Sequence, residues 1–244
     1  MAEPDSISPV VIAPTYNNAE TLGDIVKRIH RLDLPLIVVN DGSADRTADV
    51  LEAQRSDWRP EALHLPAHPR NRGKAAALHR GFDLAIEHGY SHAVTIDTDG
   101  QHDPEQIPSL LETARRRPEA LVIGARSDRV DGTPARCLVG RRLTNRMLRL
   151  ECGVAVHDSQ SGMRVYPLGL IGAVPCRAQR FAFETEIIAR SAWAGFEIIE
   201  TPITSRYLPP EQQVSHFRPW VDTLRSIAVQ ARLLIETPYR RSRR

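Results

Sequence analysis

Asp97 and Asp99, one residue apart, are the first side chains in the sequence with an evident chemical use. Two carboxylates this close repel each other unless a cation lies between them. Hard divalent ions such as Mg²⁺ or Mn²⁺ take oxygen ligands, often one or two carboxylates completed by substrate phosphates. The pair therefore reads as a metal-assisted phosphate site. Asp103, just before Pro104, has the plainer role of a helix N-cap. Lys74 is the second candidate. Apart from Lys27 it is the only lysine in a chain whose other basic residues are arginine. It follows Asn71-Arg72-Gly73 at the start of a helical pattern, where a compact cation suits a phosphate.

The elements around these residues follow from the spacing of apolar positions. Ala93 to Ile96 reads as a buried strand, and Gly100 lets the chain turn after it. Val10 to Ala13, stopped by Pro14, is the first strand, and Leu36 to Val39 the second. Leu63 and Leu65 mark a weak third strand, and Ala120 to Ile123 follows the central one. Helices are expected over Glu20–Ile29, Ala44–Gln54, the stretch carrying Leu78, Phe82, Leu84 and Ile86, and the stretch carrying Ile107, Leu110 and Leu111. This alternation implies an α/β fold: a mostly parallel sheet with helices on both faces. Polar motifs then close strands one, two, four and five, and in a parallel sheet those ends share one edge, where ligands bind.

Beyond Arg126 the pattern changes. Ser127 to Pro134 reads as a loop, followed by a helix with Leu143, Met147 and Leu150. Ser161 to Tyr166 reads as a turn entering a strand, Phe183 to Ala194 as a helix, and Phe196 to Ile203 as a strand pair. Pro209 to Gln213 is a loop. The last helix, from about Pro219 to Glu236, carries Trp220, Val221, Leu224, Ile227, Ala228, Ala231, Leu234 and Ile235 as one apolar stripe. That stripe suits docking on the sheet domain, or lying on a membrane surface with Arg225, Arg232 and the arginine tail near anionic lipid. The chain divides into a flexible N-terminus (1–8), an α/β domain (9–216) and the amphipathic helix with its basic tail (217–244).

Composition narrows the function. A formal net charge of +2 over 244 residues does not call for a nucleic-acid partner. Cys137, Cys152 and Cys176 lack metal-type spacing, and the start of the chain lacks a signal-like apolar core, which suits free thiols in a reducing compartment. No run reaches the length of a membrane span. The expectation is a cytoplasmic protein, peripheral on the inner face of the membrane if the last helix lies on lipid. No dinucleotide glycine motif follows the first strand, Gly73-Lys74 lacks the rest of a P-loop, and no Gly-x-Ser-x-Gly elbow is present.

Four motifs in order are Pro14-Thr15-Tyr16-Asn17, Val39 to Thr47, Asn71-Arg72-Gly73-Lys74, and Asp97-Thr98-Asp99-Gly100-Gln101-His102. Together they resemble the family 2 glycosyltransferases, which have the GT-A fold. Ser161 to Tyr166 and the Phe181-to-Tyr207 segment are similar to the branch containing dolichyl-phosphate mannose and glucose synthases. The resemblance covers about residues 9 to 235, and it implies that the 9–216 domain is a GT-A glycosyltransferase domain with a nucleotide-sugar half (about 9–126) and an acceptor half (about 127–216). It implies an inverting, metal-dependent transfer from a UDP- or GDP-sugar to a lipid-linked acceptor, polyprenyl phosphate or another lipid. Asp41 would hold the base and ribose, and Pro14, Tyr16 and Asn17 would pack on the nucleotide, with Asp97, Thr98 and Lys74 also facing the donor. Asp99 and Gln101 would hold Mg²⁺ or Mn²⁺ on the diphosphate, and Arg164 would neutralise the diphosphate or an acceptor phosphate. Glu184 or Glu186 would supply the general base that a hydroxyl acceptor needs; their plainer role is charge at a helix N-terminus. The sequence departs from the family at Asn18, Asn40 and His216, where relatives often have Glu, Asp and Lys; Arg218 could compensate for the last. A different class of function, a catalytically inactive nucleotide-sugar-binding partner or sensor subunit, would keep the fold and lose the Asp97, Asp99 and Gln101 set.

Overall fold

The computed structural model describes residues 7–127, 135–205 and 219–241. The loops expected at 128–134 and 209–213, the positions of His216 and Arg218, the first six residues and the last three lie outside that range. Seven strands form one sheet in the order β3-β2-β1-β4-β6-β5-β7. They are β1 (Pro9–Thr15), β2 (Leu36–Asn40), β3 (Leu63–His64), β4 (His92–Thr95), β5 (Leu121–Arg126), β6 (Arg164–Pro167) and β7 (Ile198–Ile203). All pairings are parallel except those of β6, which runs antiparallel between β4 and β5. The residues from Phe196 give one strand, β7, parallel to β5, and not a pair.

Alternation along β1 splits the core in two. Val10 and Ile12 face a cluster with Phe82, Tyr166, Phe183 and Ile187. Val11 and Ala13 face a cluster with Leu22, Ile25, Ile107 and Leu110. The first side is covered by helices α3 (Lys74–Glu87), α7 (Phe183–Ala194), α5 (Ala135–Cys152) and α8 (Pro219–Arg241), with the short α6 (Leu168–Ala173) after β6. The other side is covered by α1 (Ala19–His30), α2 (Thr47–Gln54) and α4 (Ile107–Arg116). Pro14 does not stop β1. The pairing with β4 ends at Ile12, so Pro14 extends β1 only along β2.

The two longest helices, α5 and α8, differ from expectation in which face they bury. Among its described side chains, helix α8 docks through buried Gln230, Leu233 and Thr237, with Val229 packed against the same core. Thr237 donates to the Glu151 carbonyl of α5, and Arg232 pairs with Glu186 of α7. Ile227, Leu234 and Ile235 of the expected docking stripe are exposed. So are Leu143 and Leu150 of α5. Specific polar partners on α5 and α7 set the orientation of α8.

Candidate active site

The C-terminal ends of β1, β2, β4 and β5 bring the sequence motifs to one edge, as a parallel sheet requires. The loop after β1 is pinned to the loop after β2. Asn17, in the left-handed region, donates its main-chain N–H to Ser43 Oγ (3.0 Å) and accepts from the Ala44 N–H on Oδ1 (2.8 Å). The same loop is tied to β4's extension. Asn18 Nδ2 donates to Thr98 Oγ1 (2.8 Å), which donates to the Pro14 carbonyl (3.1 Å). Thr98 is buried. It is a brace between two loops, and its side chain does not face a ligand as expected. Pro14 is buried beside it, while Tyr16 and Asn17 are half-buried at the edge.

Asp41 is also turned inward. Its Oδ1 accepts from the Arg72 N–H (2.9 Å) and lies 2.7 Å from His68 Nδ1; its Oδ2 accepts from the Gly73 N–H (2.7 Å). Both oxygens expected to meet base and ribose are occupied by the turn that starts α3. Gly42 permits this approach: its φ is +71°, and a Cβ there would lie 2.4 Å from the Arg70 carbonyl carbon. The carboxylate thereby fixes the segment that presents Lys74.

Lys74 joins residues far apart in the chain. Its Nζ lies 2.5 Å from Asp97 Oδ1 and 2.5 Å from Glu184 Oε1. Burial works against the ammonium charge, but the two carboxylates outweigh it and raise its pKa. Burial likewise pushes Asp97 up, yet the charge on Lys74 holds its carboxyl below the usual range. Glu184 is raised, because burial outweighs the help it receives from Lys74. Asp99 is pushed up to about 6 by burial and by its neighbour Asp97.

Asp99 and Gln101 offer oxygen ligands of the kind a hard cation takes. Asp99 Oδ1 accepts from the Gln101 N–H (3.0 Å). No donor among the described residues reaches Asp99 Oδ2, and none bonds the Gln101 side chain. Among the described residues no three His, Cys, Asp or Glu side chains gather as a metal site by themselves. One carboxylate and one amide oxygen are a donor set that fits Mg²⁺ or Mn²⁺ completed by phosphate oxygens. His102, next in the chain, is buried and held down to about 4 by burial, hence neutral. Its backbone bridges to Ser205 and ties this loop to the end of β7.

Two expected residues are elsewhere. Arg164 is wholly buried, and its guanidinium donates to three main-chain carbonyls: Ser161 (2.8 Å), Glu184 (2.8 Å) and Ser159 (2.7 Å). It neutralises no phosphate; it clamps the turn before β6 to the start of α7. Glu186 is two residues from Glu184, about 200° around the helix, and so points away from the site. Its Oε2 accepts from the Arg177 and Ala178 N–H groups, and its Oε1 takes Arg190 and Arg232. A buried carboxylate with four such donors is no general base.

Two residues that matter here were not singled out from the sequence. Gly162 lies against Asp97: a Cβ on it would be 2.1 Å from Asp97 Oδ2. Thr95 Oγ1 donates to the Gly162 carbonyl (2.8 Å), holding the turn in place. Asp158 is buried and holds Arg126, at the end of β5, by Nε (2.6 Å) and Nη2 (3.0 Å). A glycine inside the Ser161-to-Tyr166 motif was the available signal for the first. The second had none, because Asp158 and Arg126 are 32 residues apart.

The sequence model of the family described as Glycosyl transferase family 2 matches residues 10–171. Polyprenol monophosphomannose synthase of Mycolicibacterium smegmatis is 33% identical over 214 residues, covering 83% of this chain and 80% of that protein. Undecaprenyl-phosphate mannosyltransferase of Micrococcus luteus is 30% identical over 210 residues, 80% of this chain and 82% of that protein. In fold, the chain is similar to glucosyl-3-phosphoglycerate synthase from Mycobacterium tuberculosis, crystallised with Mn²⁺, uridine diphosphate and glucosyl-3-phosphoglycerate. The TM-score is 0.72 at 21% identity, over 96% of this chain and 81% of that one. Sheet order, the carboxylate pair at the strand edge and the matched span agree: this chain is a glycosyltransferase of family 2, with the GT-A fold.

Proposed function

We propose that this enzyme transfers a sugar, with inversion, from a nucleoside-diphosphate sugar to the phosphate of a polyprenyl-phosphate acceptor. The observation that carries the reading is the fate of the two glutamates. A hydroxyl acceptor needs a base near its proton, whereas an ionised phosphate oxygen is already a nucleophile. Glu186 is buried among arginines, and Glu184 is buried against Lys74. Asp97 is also paired with Lys74, whose charge holds its carboxyl below the usual range despite burial. The names of the two curated relatives, both acting on lipid phosphates, support the same acceptor.

Asp99 and Gln101 would hold Mg²⁺ or Mn²⁺, which when bound offsets charge on the departing nucleoside diphosphate. Lys74 keeps Asp97 and Glu184 fixed relative to one another. The Tyr16–Asn17 loop, pinned by Ser43 and Ala44, gives the nucleotide a preset edge to rest on. Positioning of this kind contributes to rate by holding donor and acceptor in line.

The test uses a radiolabelled donor with polyprenyl phosphate and, separately, with the corresponding polyprenol. Transfer to the phosphate alone is expected. Comparable transfer to the free alcohol would show that a base operates and would remove the basis for the acceptor assignment.

A further inference from the structure

Seven large apolar side chains are well exposed among the described residues, and six of them lie on α5 and α8. They are Val139, Leu143 and Leu150 on α5, and Ile227, Leu234 and Ile235 on α8, with exposures from 41% to 69%. The seventh, Ile86, is on α3. Such clustering marks an interaction surface.

The two helices share one outer layer. Helix α7 lies beneath them, with Phe183 to Ala189, Ser191 and Ala192 buried. Both helices contact α7 and each other. Both also run from the catalytic edge to the opposite one. Arg141 of α5 reaches Asp158 (3.5 Å), which holds Arg126 at the end of β5. Arg232 of α8 reaches Glu186, near the start of α7, and Thr237 then meets Glu151, near the end of α5.

The chemistry of the outward faces is specific. On α5 they read Val139, Arg142, Leu143, Arg146, Arg149 and Leu150, all exposed, at intervals of three and four. On α8 the exposed positions among the described side chains are Ile227, Ala228, Ala231, Leu234 and Ile235, none of them charged. The inward face of α8 sets Leu233 and Val229 beside Gln230 and Thr237, and an exposed apolar face opposite it is the reverse of what water favours. Beside it stands a row of three arginines alternating with aliphatic side chains. Anionic headgroups match that row, and acyl chains match the aliphatic tips. A second copy of the chain matches it less well, because a twofold contact through α5 would bring these arginines toward their own kind.

We infer that the outward faces of α5 and α8 together form a docking surface for an anionic lipid bilayer, with α5 supplying charge and α8 supplying apolar contact. The surface lies along the helices, and its α5 end reaches the catalytic edge. An acceptor phosphate at the bilayer surface would therefore not have to leave the lipid to reach the site. The inference deepens the lipid-acceptor reading and rests on it for its purpose, but binding to lipid is read without donor or acceptor.

Flotation of the full chain with phosphatidylglycerol–phosphatidylcholine vesicles, and with pure phosphatidylcholine vesicles, tests it. Three variants accompany the wild type: Arg142→Glu/Arg146→Glu/Arg149→Glu, Leu143→Ser/Leu150→Ser, and Ile227→Ser/Ile235→Ser. All sites are exposed, and circular dichroism with thermal melting checks that each variant is folded. The wild type should float with the anionic vesicles and be released by high salt. The triple charge variant should lose on the order of 100-fold in apparent affinity. Each serine pair should lose about 10-fold or more. If folded wild type floats with neither vesicle, or if the variants bind as wild type does, the surface is refuted. A concentration-dependent dimer abolished by the serine pairs would also overturn it, in favour of a second copy. Donor hydrolysis measured in the same preparations reports the transferase reading separately.

Discussion

Gly162→Ala adds one carbon next to Asp97 and makes the sharpest test of the site. The new Cβ would lie 2.1 Å from Asp97 Oδ2 and 2.5 Å from its Cγ. Gly162 is not among the residues with positive φ, so the backbone accepts alanine and the cost is the contact alone. The gap is about 1 Å short of an ordinary contact, and such overpacking costs ~1–3 kcal/mol. Asp97 can relieve it only by swinging off Lys74, which then holds Glu184 alone. At this chain length each kcal/mol corresponds to about 2–4 °C, so Tm should fall by ~2–12 °C. A displacement of about 1 Å at the reacting centre costs on the order of 100-fold in kcat/KM. The assay is sugar transfer with thermal melting, run on Gly162→Ala, Asp97→Ala and the double variant. Because Asp97→Ala removes the clashing atoms, Gly162→Ala should cost almost nothing further in stability in that background. Additive losses, or a single variant with kcat/KM within about twofold of wild type, would refute the claim that Gly162 exists to seat Asp97.

Asp99→Asn should remove the metal dependence of nucleoside-diphosphate binding, measured by calorimetry with and without Mn²⁺, and lower turnover at least ~100-fold. Arg164→Lys should lower stability by ~3–5 kcal/mol in chemical denaturation, because one ammonium cannot serve three carbonyls on different segments, and the KM for donor should stay close to wild type. Asp41→Ala frees the Arg72 and Gly73 N–H groups and should cost ~1–3 kcal/mol in stability, with weaker donor binding following from the displaced loop. Glu151 is pushed up to about 7 by burial. Its folded pKa exceeds its unfolded one, so the stability it contributes is full below the ordinary carboxylate range and is lost as pH rises through about 7. Glu151→Gln should therefore leave stability nearly unchanged at pH 4 and raise it at pH 8 by about 1 kcal/mol after allowance for solvent screening; equal stability of the two proteins at pH 8 would rule this out.

Much of the architecture was legible in the sequence because strands in a parallel sheet are buried on both faces and read as apolar runs. Val10 to Ala13, Leu36 to Val39 and Leu121 to Ile123 carry that signature, and each ends in polar residues. From run-then-motif order alone, Asp97, Asp99, Lys74 and the Tyr16–Asn17 loop belong at one edge, and they are there. The antiparallel β6 was not legible. Arg164 to Pro167 is as apolar in context as a parallel strand, and direction depends on the connection, not on composition.

Partner choice was the harder problem, and the errors share a cause. A charged residue within a motif is assigned outward by default, because burying a charge is costly. The cost disappears when the fold supplies partners from distant segments, and sequence spacing does not show these. Arg164 meets carbonyls of Ser159, Ser161 and Glu184; Asp41 meets amides 31 and 32 residues away. Glu184 and Glu186 show the principle at its smallest scale. They are two residues apart, with the same charge and the same helix, and a 200° rotation separates them. One therefore faces Lys74 at the site; the other faces Arg190 and Arg232 and anchors α8. The same anchor turns Ile227, Leu234 and Ile235 of α8 outward. A stripe read along a helix gives its period but not the direction it faces; here Arg232 and Thr237 set that direction.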